Sequence, residues 1–199
     1  WYQARQMINR KYKDGVMLVG DRMNYAAASA FDAIHTYNTC GELANKTVEQ
    51  IKDITDGLFG SNVLMSRDMG KISTMTIIPG YDDTKIRKPG LDTRRLDSQL
   101  YQKQWEAALA LAPDWVIITS FNEWHEGSEI EPSEQYGDSY LKLTEQYIKQ
   151  FKATKPLLFS HLKLYSPPNA ELKKQFEGKT IAVLPEPESA AFWFLMKQG

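Results

Sequence analysis

The sequence predicts an α/β fold with parallel strands. Three observations lead there. Four short apolar runs read as buried strands, stretches of helical periodicity lie between them, and the runs end in polar or aromatic residues instead of tight hairpin turns. Buried parallel strands are apolar on both faces, so they read as continuous runs and not as alternation.

The first run is Val16–Gly20 and the second Phe31–Tyr37. The connection between them is short, near the minimum for a parallel crossover. A helix is expected from Thr47 to Leu58. Its opening TVEQ is a capping-box pattern, in which Thr47 and Gln50 satisfy each other's backbone donors. Val48, Ile51, Ile54 and Leu58 sit at helical spacing, and Gly57 and Gly60 are expected to stop the helix. Ser73–Pro79 is the third strand. Gln99 to Leu111 is a second helix, closed by Pro113, and Trp115–Phe121 is the fourth strand. A third helix lies within Tyr136 to Lys152, where Tyr140, Leu143, Tyr147 and Phe151 recur at helical intervals. From Pro156 the texture changes to turn-rich sequence with one expected strand, Thr180–Leu184. Two units are therefore expected: residues 1–155 and an extension or further domain at 156–199.

Composition excludes several functions. Twenty-four Lys+Arg against 25 Asp+Glu give a net charge of −1, which removes the electrostatic case for nucleic acid or an acidic membrane surface. No run approaches the roughly 18 apolar residues of a membrane span. Cys40 is the only cysteine, so an internal disulfide or a zinc–thiolate cluster is excluded. Ten Tyr and 5 Trp fit an aromatic core, or stacking surfaces for the C–H faces of sugars. The chain opens at Trp1 without initiator Met or signal-peptide pattern, and reads as a processed or partial chain.

Chemistry is concentrated in Trp115–Glu131, WVIITSFNEWHEGSEIE. A buried strand runs straight into Asn122, Glu123, Trp124, His125 and Glu126, and four carboxylates (Glu123, Glu126, Glu129, Glu131) fall within nine positions. In a helical turn, Glu123 and Glu126 share one face with Cβ atoms about 5–6 Å apart. Paired carboxylates at close range are the minimal equipment for glycoside hydrolysis. Trp124 supplies a stacking wall and His125 an orienting hydrogen bond. An acidic cluster after a strand is often only a solvated loop; the adjoining strand, Asn, Trp and His weigh against that here. His125-Glu126 begins like a zinc HExxH motif, but Glu129 occupies the second His position. Glu129, Glu131 and Asp138 offer oxygen ligands for calcium without a recognised loop spacing.

Pro79–Arg87, PGYDDTKIR, also follows a strand directly. Gly80 lets the backbone turn, Tyr81, Asp82 and Asp83 present polar groups at the same end of the sheet, and Arg87 and Arg94–Arg95 are expected to order those carboxylates. A turn with surface ion pairs and a substrate-lining role fit this segment equally. Asp21 and Arg22 after the first strand, with His35 and Tyr37 at the end of the second, complete the set. His35 alone in an apolar strand reads as a satisfied core residue. Asn45-Lys46-Thr47 fits the N-glycosylation sequon.

ITSFNEWHEGSEIEP together with PGYDDTKIR resembles glycoside hydrolase family 99, the endo-α-mannosidases and their relatives; FDAIHTY is similar more loosely. The resemblance covers roughly residues 31–150. It implies the C-terminal half of a (β/α)8 TIM-type barrel, with parallel strands, flanking helices and a short C-terminal extension. Barrels of this kind take about 250 residues or more, and residues 1–155 hold four candidate strands, so a missing N-terminal barrel half is expected in the full protein. The resemblance implies a retaining, endo-acting hydrolase of α-mannosidic or related glycans, with no cofactor and no essential metal. By it Glu123 is the base on the sugar's 2-hydroxyl and Glu126 the acid/base at the glycosidic oxygen. Tyr37, Tyr81, Asp82, Arg87, Asn122, Trp124 and His125 are the expected substrate-binding residues. Ser128 stands where the family more often has Thr. The expected partner is an oligosaccharide or glycan, and the expected location is extracellular or in the secretory pathway. A retaining β-glycosidase using Asn122-Glu123 requires a second Glu ending another strand, where this chain has Asp21, Tyr37 and Tyr81-Asp82. The alternative from another class is a non-catalytic carbohydrate-binding or cell-surface protein with a glycosidase-like barrel.

Overall fold

The computed structural model describes residues 1–12, 16–21 and 30–154, and the backbone of 181–183 and 195–197. Arg22 and most of the 156–199 extension lie outside the described residues. Helix α1 is Tyr2–Lys11, followed by strands β1 (Met17–Asp21) and β2 (Ala33–His35). Then come α2 (Cys40–Leu43), α3 (Val48–Ile54), a π-turn (Thr55–Phe59), α4 (Gly60–Asp68) and β3 (Thr74–Ile77). A two-residue pair, β4 (Tyr81–Asp82) and β5 (Asp92–Thr93), precedes α5 (Gln99–Leu111), β6 (Trp115–Ile118), a 3₁₀ turn (Trp124–Glu126) and α6 (Ser139–Ala153). The last two strands are β7 (Ile181–Val183) and β8 (Leu195–Lys197).

The four apolar runs all form strands, three of them shorter than the run and β1 shifted by one residue along it. They are parallel neighbours in chain order. β1 pairs with β2 (Val19 opposite Ala33) and β3 with β6 (Thr74 opposite Trp115). β2 and β3 lie side by side through a parallel bridge from Ala33 to Ile72, and the Ile72 N–H donates to Asp32 O at 2.9 Å. β7 adds parallel to the outer edge of β1, and β8 antiparallel to the outer edge of β6. The polar residues within β3 are satisfied across the sheet. The Thr74 hydroxyl donates to Ile34 O and the Thr76 hydroxyl to Thr36 O. Thr119 Oγ1, just past β6, donates to Tyr37 O at 2.7 Å. The C-terminal ends of β2, β3 and β6 therefore meet.

Helix α3 begins with the expected capping box, Thr47 Oγ1 accepting from Gln50 N–H and Gln50 Oε1 accepting from Thr47 N–H. It does not stop at Gly57 or Gly60. The chain passes through the π-turn into α4, because Phe59 between the glycines and Val63 beyond them are core residues. Gly60 instead lets α5 approach; an added Cβ there would lie 3.1 Å from Leu111 Cδ1. Helix α1 and the β4–β5 pair are additions to the expected elements.

The main core lies between β3, β6 and the helices. Trp105 of α5 is fully buried, stacked on Tyr147 of α6 at 5.4 Å and edge-on to Tyr101 and Phe151. Gln104, also fully buried, clamps the exit of β3: its Oε1 accepts from Ile78 N–H at 3.0 Å and its Nε2 donates to Ile78 O at 2.8 Å. At the other end of the sheet, Asp114 Oδ2 accepts from Ser73 N–H (3.0 Å) and Oγ (2.9 Å), which aligns the starts of β3 and β6. No described helix is long and apolar enough to cross a membrane.

Candidate active site

The exit of β3 forms one wall of the site. Past the Gln104 clamp the chain turns at Pro79-Gly80. Only glycine fits there, since a Cβ would fall 2.4 Å from Arg95 Cγ. Tyr81 is buried, and its hydroxyl donates to Asp83 Oδ2 at 2.8 Å. Asp82 points elsewhere. Its Oδ1 accepts from the Thr84 hydroxyl (2.6 Å) and N–H (3.0 Å), and those bonds hold its pKa below the usual carboxylate range. Asp83 is buried, with Oδ1 accepting from Leu91 N–H at 2.6 Å and Oδ2 facing Arg87 at 2.7 Å. Burial works to raise the Asp83 pKa, but the bonds from Leu91, Arg87 and Tyr81 outweigh it and hold it low.

The exit of β6 forms the opposite wall and closes on itself. Ser120 N–H donates to Ser128 O (2.8 Å), the two hydroxyls meet at 3.0 Å, and Ser120 Oγ accepts from Glu123 N–H (2.9 Å). Between the two serines Trp124–Glu126 make the 3₁₀ turn, with Glu123 as its N-cap and Glu126 as its last residue. Gly127 ends the turn at φ +57°, where a side chain is strained and a Cβ would lie 3.2 Å from Asp82 N. Arg95 supports the loop from below. It donates to Gly127 O (3.0 Å) and Glu129 O (2.9 Å), pairs with Glu129 Oε1 (3.0 Å), and lies between the Tyr136 and Tyr140 rings.

The two walls are joined by Arg87. Its Nη1 donates to Asp83 Oδ2 (2.7 Å), Tyr81 Oη (2.7 Å) and Glu126 Oε1 (2.9 Å), and its Nη2 also donates to Glu126 Oε1 (2.9 Å). The other oxygen, Glu126 Oε2, is buried and has no hydrogen-bond partner among the described residues. The bonds to Asp83 and Glu126 raise the Arg87 pKa further above its already high value. Tyr37 stands close enough to feel both glutamates: burial, then the charges of Glu126 and Glu123, push its phenol up to about 12. Burial, the hydrogen bond to Asp83 and the Glu126 charge raise Tyr81 as well.

Of the expected residues, Tyr37, Tyr81, Arg87, Glu123 and Glu126 converge. Asn122 is exposed on the same turn. Trp124 is 47% exposed, and its Nε1 donates to Glu131 Oε2 at 2.9 Å, which leaves the ring face open. Trp124, His125 and Asp82 line an adjoining open groove that runs past Lys85, Ile86 and Tyr136. Glu129 is not part of an open acidic cluster, because Arg95 neutralises it. Asp138 pairs with Lys142. Among the described residues, no group of three or more His, Cys, Asp or Glu side chains is placed to hold a metal ion. His35 is buried, and burial lowers its pKa despite Asp21, whose Oδ1 lies 3.8 Å from its Nδ1. Cys40 was not anticipated here; burial, then the Glu126 charge, push its thiol up to about 12. Nothing in the sequence around Cys40 signals this position.

The sequence model of glycosyl hydrolase family 99 matches residues 9–153. The chain is 32% identical over 144 residues to the human glycoprotein endo-alpha-1,2-mannosidase-like protein, covering 62% of this chain and 29% of that protein. It is 34% identical over 119 residues to the rat glycoprotein endo-alpha-1,2-mannosidase, covering 58% and 24%. It thus spans under a third of the length of these relatives. Among solved structures, it is similar to the family 99 endo-alpha-mannosidase of Bacteroides thetaiotaomicron, with a TM-score of 0.53 and 22% identity over 70% of this chain and 45% of that one. The same enzyme with bis-tris-propane gives 0.54 and 23%, over 73% and 50%. These two likenesses bear on the fold.

Proposed function

Because the chain belongs to glycosyl hydrolase family 99, we propose that it is a retaining, endo-acting hydrolase of α-mannosidic glycans, with Glu123 and Glu126 as its two working carboxylates. We read its four strand–helix units as the C-terminal half of a (β/α)8 barrel, a reading supported by the strand order and by the share of the solved relatives they span. Active sites in such barrels sit at the C-terminal ends of the strands, where Tyr37, Tyr81, Glu123 and Glu126 lie.

One observation carries the proposal most. Glu126 has one oxygen fixed by Arg87 and the other buried, with no partner among the described residues, at the meeting point of three strand ends. A buried polar atom without a protein partner is uncommon, and a catalytic role is one of the reasons for it. In an α-mannoside the 2-hydroxyl and the leaving group are trans and both axial. In the proposed first step Glu123 removes the 2-hydroxyl proton. The oxygen attacks C1 from the face opposite the leaving group, and the C1–O bond breaks as Glu126 donates its proton to the departing oxygen. In the second step Glu126, now a carboxylate, takes a proton from water as the water oxygen attacks C1. The strained ring opens, and O2 recovers its proton from Glu123. Two inversions give net retention. The open groove beside the Trp124 face suits a sugar chain continuing past an internal linkage.

Glu123→Gln and Glu126→Gln in the full chain test the roles. Each is expected to lower turnover of an α-mannosidic oligosaccharide by about 10²–10⁴-fold, with unchanged thermal stability. Either variant keeping near wild-type turnover removes that residue from the mechanism. A wild-type chain that binds the glycan without cleaving it favours the carbohydrate-binding alternative.

A further inference from the structure

We propose that Arg87 is a positioning residue that dictates which oxygen of Glu126 reacts; this rests on Glu126 being the acid/base. Both terminal nitrogens of the guanidinium converge on Oε1 at 2.9 Å, and neither reaches Oε2. The two oxygens of a free carboxylate are equivalent. Once two N–H groups point at Oε1, a proton placed there would face those donors, so the proton resides on Oε2, the oxygen left without a partner among the described residues. The acid is thereby aimed by a residue that carries no proton itself.

The guanidinium is anchored from its other side. Asp83 is buried with both oxygens engaged: Oδ1 by Leu91 N–H, Oδ2 by Tyr81 Oη and Arg87 Nη1. Nη1 also donates to Tyr81 Oη at 2.7 Å. It therefore meets three acceptors with two hydrogens, and has nothing left for a sugar hydroxyl. The arginine is half-exposed, yet Nη1 and one N–H of Nη2 are directed inward to the β3 wall and the β6 turn. Asp83 and Arg87 are four residues apart in one short loop, so the anchor forms locally and reaches across to a residue 39 positions away.

The test is a ¹³C NMR titration of the glutamate carboxyl carbons, with Glu126 assigned by its loss in Glu126→Gln. The variants are Arg87→Met, Arg87→Lys and Asp83→Asn. Removing the cation disfavours the carboxylate, so the Glu126 carboxyl signal in Arg87→Met is expected to move at a higher pH than in wild type. Arg87→Lys restores part of the shift, and Asp83→Asn, which removes the anion competing for the guanidinium, gives no rise. In kinetics the basic limb of the pH–rate profile should move to higher pH in the two Arg87 variants in the same order, with kcat reduced and KM within about twofold of wild type. Arg87→Lys, which keeps the charge, remains informative if Arg87→Met fails to fold. A Glu126 midpoint unmoved in the Arg87 variants overturns the proposal, as does a large rise in KM at unchanged kcat. If wild type cleaves nothing while the midpoint still moves, the hydrolase reading fails and the Arg87–Glu126 coupling stands.

Discussion

Glu126 ends the 3₁₀ turn and Glu123 caps its start three residues earlier, and their surroundings differ. Glu126 faces a guanidinium, while the Glu123 main chain is tied by Ser120 and Ser128. Environment, more than residue type, separates the roles of paired carboxylates. The same environment acts on two bystanders. Cys40 and Tyr37 are raised from 9.0 and 10.0 to about 12, first by burial and then by the Glu126 charge. The unfolded chain loses the Cys40 proton near pH 9, whereas the folded chain keeps it until about 12. Stability held below pH 9 is therefore expected to fall between pH 9 and about 12, with Tyr37 adding to the slope above 10. Urea midpoints measured across this range should fall less steeply in Cys40→Ala than in wild type. Equal slopes would mean that the thiol is not buried beside Glu126. The pair Glu123/Glu126 was legible in the sequence because a buried strand runs directly into it. Cys40 was not, because its closeness to Glu126 is made by the chain returning to one sheet end.

At the scale of elements, the site depends on two loops packed against each other. Gly127 of the β6 loop lies against the Asp82 backbone, and Gly80 makes room for Arg95, which supports the β6 loop. Arg95 holds the β6 loop through two carbonyls and the Glu129 carboxylate, with both side chains of the pair buried. Breaking a buried pair leaves an uncompensated charge and costs about 3–5 kcal/mol. Arg95→Met is expected to destabilise by that order in urea unfolding. Arg95→Met with Glu129→Gln should recover part of the loss. Additive costs would contradict a direct pair. The sequence reading counted Glu129 among four clustered carboxylates and as an oxygen ligand for calcium, since spacing along the loop cannot show that Arg95, 34 positions earlier, neutralises it. The glycines of α3–α4 misled for a related reason. Their helix-stopping tendency of about 1 kcal/mol is overridden where Phe59 between them and Val63 beyond them are buried.

For the whole molecule, four parallel strands in chain order bring three strand ends to one face, and chemistry-bearing residues follow those ends. Order and direction were legible because apolar runs alternated with helical periodicity. The β4–β5 pair was not, because two-residue strands carry no periodic signal. The β7 pairing with β1 joins residues more than 150 positions apart, beyond any local pattern. The central claim is that this face cleaves an α-mannosidic linkage with net retention through two carboxylates on one turn. It is tested most directly by following the anomeric protons of the first-formed product by ¹H NMR during cleavage of an internal α-mannosidic linkage by the full chain. The account predicts that the α-anomer appears first and then mutarotates, and that neither Glu123→Gln nor Glu126→Gln produces it at a comparable rate. A β-anomer appearing first would contradict the account.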